Sequence, residues 1–248
     1  MTGTIALTLE KVIGGYGKMT ILNELSAQIR QGAITTVIGP NGAGKSTMFK
    51  AVFGLLRLRS GRITFNGTDT TGLTPRQMLE HGVCYVPQGR NIFPELTVKH
   101  NLELGGVALK NAAHLPQRID AMMQRFPVLA VKAHAQAGTL SGGQQKLLEV
   151  ARGLLLDPKL VLIDEPSIGL SPLMVEEVFG ILKRLRDQGV TILMIEQNAK
   201  QALQMSDYGL VLEQGQTRIE AEAREILGDA RVARLFLGGG LEPVVGGA

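Results

Sequence analysis

The stretch Ala33–Arg57, AITTVIGPNGAGKSTMFKAVFGLLR, decides the fold. AITTVIGP is a compact apolar run rich in β-branched residues, the composition of a buried strand. NGAGKST is a glycine-rich loop, and MFKAVFGLLR carries a helical pattern. Gly39 to Thr47 satisfy G-x-x-x-x-G-K-S/T, so Gly39, Pro40, Asn41, Gly42, Ala43, Gly44, Lys45, Ser46 and Thr47 form a candidate phosphate cradle. The chemistry dictates the composition. Gly42 and Gly44 let successive backbone N–H groups turn toward phosphate oxygens, and the helix that follows adds its positive end. Lys45 supplies a point charge to the β- and γ-phosphates, and the Ser46 hydroxyl is a ligand for Mg²⁺. Alone, the motif admits kinases, GTPases and ATPases equally.

A second apolar run, LVLIDEP, ends in Asp164 and Glu165. A carboxylate at the end of a buried strand reaches the edge of a parallel sheet where a nucleotide-bound Mg²⁺ would lie, which gives Asp164 a metal-binding role. Glu165 is placed to orient or deprotonate an attacking water. A kinase, whose nucleophile is a bound substrate, has no need of it. Upstream stands LSGGQ, Leu140 to Gln144. Ser141 is a good helix N-cap, and Gly142 and Gly143 leave helix-start N–H groups open to a second anion.

Outward from these motifs, strands alternate with helical segments, which implies a mainly parallel sheet with right-handed crossovers. The stretch from Ile5 to Gly32 alternates apolar and polar residues and reads as short antiparallel strands breaking at Gly14-Gly15. From about Glu95 to Leu140 the spacing turns helical, and SGGQQKLLEVARGLLL is an amphipathic helix with Leu147, Leu148, Ala151, Leu154 and Leu155 on one side. YGLVLEQGQTRIEA reads as a hairpin turning at Gln214-Gly215, and no internal repeat is present. With 248 residues the chain can bury one substantial core, and its net charge of +4 suits a polyphosphate ligand or the face of a membrane complex. A single cysteine, Cys84, precludes an internal disulfide and points to a reducing compartment. The start, MTGTIALTLEK, lacks the basic-then-apolar pattern of a signal peptide, and no run reaches the ~18 apolar residues of a membrane helix. Any work at a membrane therefore needs another polypeptide as anchor. No Lys/Arg-rich run with interleaved aromatics points to nucleic acid.

GPNGAGKST, LSGGQ and LVLIDEP, in that order, resemble the ABC ATPase family from about Ile5 to about Leu237. The resemblance implies an α/β fold: a P-loop NTPase (RecA-like) parallel-sheet core with an N-terminal antiparallel β subdomain and an inserted α-helical subdomain. The expected organisation is a single domain over 1–237, the helical insertion spanning about 90–157, and a flexible Gly-rich tail at 238–248. It further implies ATP and Mg²⁺ as ligands and a head-to-tail dimer of two ATPase subunits, homo- or heteromeric. Ser141, Gly142, Gly143 and Gln144 would then meet the ATP of the partner subunit. Tyr16, in GGYGKMTIL, matches the aromatic that stacks on adenine. Gln88, ending YVPQ, matches the residue that senses Mg²⁺ and water. SIGLSP, Ser167 to Pro172, matches a loop that crosses the dimer interface.

One departure stands out. Where most family members have Glu-His, this sequence has Glu196-Gln197. A glutamine amide can donate to a phosphate oxygen but never carries charge, and the lost charge-assisted contact is worth about 1–3 kcal/mol. The same segment, IEQN, with YVPQGRNIFPELTVKHNLELGG, resembles ATPase subunits of branched-chain amino acid importers, or of the related urea/amide importers. The implied partners are transmembrane permease subunits, which place the chain at the cytoplasmic side of the plasma membrane. Direct binding of the transported molecule or of nucleic acid is not expected. Competing readings are a non-transport ABC ATPase acting on nucleic acid or the ribosome, and a nucleotide-binding regulator without turnover.

Overall fold

The computed structural model describes residues 3–89, 91–108, 112–229 and 232. The tail expected at 238–248 and the last residues of the domain expected over 1–237 lie outside them. In chain order the elements are β1 (Ile5–Tyr16), β2 (Met19–Arg30), β3 (Ile34–Ile38), α1 (Lys45–Val52), β4 (Leu58–Phe65), β5 (Thr68–Asp69), α2 (Pro75–Glu80) and β6 (Val83–Val86). Then come α3 (Val98–Gly105), α4 (Leu115–Arg125), α5 (Pro127–Val131) and α6 (Gly142–Leu154). They are followed by β7 (Leu160–Asp164), α7 (Pro172–Asp187), β8 (Thr191–Ile195), α8 (Ala199–Met205), β9 (Tyr208–Glu213), β10 (Gln216–Glu222) and α9 (Ala223–Gly228).

Two sheets result. One is antiparallel, in the order β2-β1-β4-β5. The other runs β10-β9-β3-β8-β7-β6 and is parallel except for its β10 edge. The break expected at Gly14-Gly15 is not there. β1 continues to Tyr16, which pairs with Met19, and the turn falls at Gly17-Lys18. Gly15 is needed for a different reason: a Cβ there would collide with the carbonyl oxygen of Met19. The register shifts along Gly14-Gly15, so these glycines bend a paired strand without ending it.

β7 shows how sequence alternation builds the core. Leu160 and Leu162 join the cluster shared with the antiparallel sheet and α1, whereas Val161 and Ile163 face the cluster of α6 and α7. Every residue of β3, β7 and β8 is buried, as a parallel sheet covered on both faces requires. The helical insertion is anchored to the second cluster through Val98, Leu102, Ile119, Met122 and Leu129. Leu147 and Leu148 of α6 are fully buried there, and truncating either to Ala would cost about 2–5 kcal/mol.

Strand order sets up the site. β8 lies between β3 and β7, and Val37, Ile195 and Asp164 are aligned across the three strands. The segments after β3, β6, β7 and β8 therefore all emerge at the carboxyl edge of one parallel sheet, where ligands of such folds bind.

Candidate functional site

The segment after β3 wraps from Gly39 to the first turn of α1. Gly42 and Gly44 adopt left-handed φ values of 82° and 100°, conformations glycine supplies without steric cost. Gly44 is the N-cap of α1 and no side chain caps this helix, so its first N–H groups point into the loop. Lys45 folds over the loop, its Nζ donating to the carbonyls of Gly39 (2.8 Å) and Pro40 (3.1 Å). Burial lowers its pKa, while Glu165 and Asp164 pull it back up. One hollow is lined by Asn41 to Thr47 and closed by Gln88, Glu165 and Gln197.

Glu165 is held from several sides. Its carboxylate accepts from Gln88 Nε2 at 2.5 Å and from Gln197 Nε2 at 2.9 Å to each oxygen. Its backbone N–H donates to Ile195 O at 2.9 Å, extending the β7–β8 pairing by one residue. Its φ is 50°, an uncommon conformation for a non-glycine residue and one that concentrates at functional sites. Three loops thus converge on one carboxylate. Both amides donate to the carboxylate, so neither needs a charge to hold it.

Asp164 is buried, and its Oδ2 accepts from the Tyr85 hydroxyl at 3.4 Å. Its Oδ1 has no hydrogen-bond partner. Burial raises its pKa; the Ser46 hydroxyl, its other neighbour, acts in the opposite direction. An orphaned carboxylate oxygen beside a hydroxyl is a hard oxygen donor set, suited to Mg²⁺ that takes its remaining ligands from phosphates and water. Among the described residues no three His, Cys, Asp or Glu side chains converge into a self-sufficient metal cage. The orphaned Asp164 Oδ1 and the neighbouring Ser46 hydroxyl are the residues present that fit Mg²⁺.

The start of α6 belongs to a different hollow, shared with Gly89 and the loop at Ile168–Leu170. Ser141 Oγ accepts from Gln144 N (3.3 Å) and Gln144 Oε1 accepts from Ser141 N (3.2 Å), a reciprocal capping box. Lys132 Nζ also donates to Gln144 Oε1 at 3.0 Å, so the Gln144 side chain is engaged within the chain. Gly142 faces open space, whereas Gly143 packs on Met174 of α7. Ser141 to Gln144 are thus not gathered with Lys45 and Glu165 in one chain. Tyr16, 48% exposed, lies near α1 with Lys50 Nζ 5.7 Å from its ring centroid. It does not line the loop's hollow.

The sequence model of the ABC transporter family matches residues 22–168. The chain is also 38% identical to the high-affinity branched-chain amino acid transport ATP-binding protein BraG of Pseudomonas aeruginosa, over 94% of this chain and the whole of that protein. This chain belongs to the ABC transporter family. Another relative is the probable branched-chain amino acid transport ATP-binding protein LivF of Archaeoglobus fulgidus, 37% identical over 92% of this chain and 97% of that protein. Among solved structures, an ATP-binding cassette of an ABC transporter in its ADP conformation superposes with a TM-score of 0.84. It is 28% identical and covers 95% of this chain and 100% of its own. The family accounts for the order of elements and the phosphate loop.

Sequence reading passed over a buried cluster in this ABC cassette. Lys146 and Glu149, both on α6, form an ion pair of 2.7 Å with side chains about 5% exposed. Glu149 accepts from Asn91 N, Lys146 Nζ donates to Gly89 O, and Arg152 Nη1 donates to Asn91 O. α6 therefore grips the segment that directly follows Gln88. Charges inside an amphipathic pattern were the available signal, but their partners lie about 60 residues away in the chain.

Proposed function

We propose that this chain is the ATP-hydrolysing subunit of a membrane importer, with branched-chain amino acids as the transported class. The observation that carries the hydrolytic part is the Glu165 carboxylate, held by Gln88 and Gln197 at the rim of the phosphate loop. The substrate class follows from the likeness to the branched-chain amino acid proteins, whose length the chain matches nearly end to end. The importers for urea or amides are the alternative within the same type of system.

In this reading ATP lies along Gly39 to Thr47, with Tyr16 against the adenine. The N–H groups at the start of α1 and the Lys45 ammonium bind the phosphates. Ser46, Asp164 and Gln88 would hold Mg²⁺, which would supply positive charge beside the phosphates. Glu165 orients the attacking water and accepts its proton. The water oxygen bonds to the γ-phosphorus as the bond to the β–γ bridging oxygen breaks, giving ADP and phosphate. Gln197 keeps Glu165 aimed, and its amide can turn to the γ-phosphate once ATP is bound. Rate enhancement comes from positioning and charge stabilisation, with no covalent intermediate.

The self-capped start of α6 lines a hollow separate from that of this chain's own loop, which supports a head-to-tail dimer. There Ser141, Gly142, Gly143 and Gln144 approach the γ-phosphate held by the partner subunit, and Ser167 to Pro172 cross the interface. Residues 1–237 act as one cassette with 90–157 as its helical lobe. A groove of about 510 Å³ between that lobe and the sheet, bordered by Leu104, Val107, Tyr85 and Arg152, suits a helix of a permease subunit. Among the described residues no helix is long and apolar enough to cross a membrane, so attachment through the permease is the consistent arrangement.

The test is recovery of tagged chain from native membranes. A second ATPase with two membrane proteins, and ATP turnover stimulated by a branched-chain amino acid and its binding protein, would support the assignment. Copurification with ribosomal or nucleic-acid factors and no membrane protein would overturn it.

A further inference from the structure

Glu196 is 3% exposed, and both its oxygens are used. Ser167 donates twice, from its backbone N at 2.9 Å to Oε1 and from its hydroxyl at 2.7 Å to Oε2. The backbone N of Gln197 donates to Oε2 at 3.2 Å. All three donors are neutral, and among the described residues Glu196 takes part in no ion pair. Burial raises its pKa, the hydrogen bonds from Ser167 and Gln197 oppose the rise, and the nearby Glu165 charge adds to it. An unpaired carboxylate buried beside another carboxylate is costly, and a neutral residue could fill the same space more cheaply.

The contacts close a ring. From Glu165 the chain runs to Ser167, Ser167 bonds Glu196, Glu196 is followed by Gln197, and the Gln197 amide returns to the Glu165 carboxylate. We propose that Glu196 is a positioning residue for hydrolysis, tying the loop after β7 to the loop after β8 so that Glu165 keeps its left-handed backbone and its aim. Without it, Ser167 loses both acceptors, and the two ends of the Glu165–Gln197 contact move independently. The role rests on the reading of Glu165 as the residue that orients water. Ionised Glu196 offers acceptors to all three donors at once, which an amide at that position cannot.

The test compares Glu196→Ala, Glu196→Gln and Ser167→Ala with Glu165→Gln. The full-length chain is used with any subunits that copurify, measuring phosphate release and equilibrium binding of ATP with Mg²⁺. Glu196→Ala should lower kcat about tenfold to a hundredfold, with the Kd for ATP within about twofold of the parent. Glu196→Gln, which keeps an acceptor for Ser167 N, should recover part of the rate. Adding Ser167→Ala to Glu196→Ala should cost little more than Glu196→Ala alone, because both break the same ring. Parental kcat in Glu196→Ala, fully additive losses, or parallel loss of rate and ATP affinity would overturn the proposal. If Glu196→Ala does not fold, Glu196→Gln at parental kcat overturns it instead, because an amide cannot accept from all three donors. Glu165→Gln separates the two ideas. If that variant turns over at the parental rate, the reading of Glu165 falls and the proposal with it. If it is inactive while Glu196→Ala and Ser167→Ala are parental, only the proposal falls.

Discussion

Two helix starts in this cassette are rich in glycine, and they are finished differently. At α1 no side chain caps the helix, and the neighbouring Lys45 ammonium rests on loop carbonyls. At α6 Ser141 and Gln144 satisfy each other's backbone N–H groups from within. The first helix start is left with backbone donors to spare and needs an anion to complete it. The second has the N–H groups of Ser141 and Gln144 satisfied within the chain, which leaves those of Gly142 and Gly143 to meet an anion. A helix start with no internal cap marks the binding half of a site; a capped one suits an intermittent contact.

The comparison can be broken most sharply at the chemistry of the first half. Glu165→Gln should lower turnover by about 10²–10⁴-fold while ATP still binds, as read by phosphate release beside equilibrium binding. Equal loss of affinity and rate would mean that Glu165 serves binding. Next, Lys45→Ala should weaken ATP binding by about tenfold to a hundredfold and shrink the rise in Tm that ATP induces. Ser141→Ala sharpens the contrast. Loss of the cap should destabilise the chain by about 1 kcal/mol, a fall in Tm of about 2–4 °C. The isolated chain should bind ATP as before, and turnover in the assembled complex should fall. A drop in ATP affinity of the isolated chain as large as that of Lys45→Ala would show that the two helix starts serve one nucleotide in one chain. The smallest effect belongs to the groove. Val107→Glu, at a 78% exposed position, should change stability by less than about 0.5 kcal/mol and leave ATP binding intact. Recovery of permease subunits, assayed by copurification, should drop.

What was legible in the sequence follows the same division. The phosphate loop, the strand ending in Asp164 and the start of α6 were readable because each obeys a local backbone requirement within a few residues. The turn of the first hairpin was misplaced because glycine answers two needs. Gly17 supplies the left-handed turn with a φ of 55°, while Gly15 relieves a collision with Met19. From sequence the two are indistinguishable. The convergence of Gln88 and Gln197 on Glu165 depends on β7 lying between β6 and β8, which no local pattern encodes. Glu196 was read only as the neighbour of Gln197, and its own role was not legible, since its partner Ser167 is 29 residues away.

The strand order also has a consequence for biogenesis. Both hydrogen-bonding neighbours of β3, namely β8 and β9, lie about 150 residues further along the chain. The antiparallel pairs of β1 with β2 and β4 can form soon after translation of residue 65. The strand that launches the phosphate loop must wait with both edges unpaired for roughly 8–30 s at ordinary elongation rates. Throughout that interval ITTVI is an open template for mispairing, which exposes the nascent chain to aggregation until β8 and β9 are made.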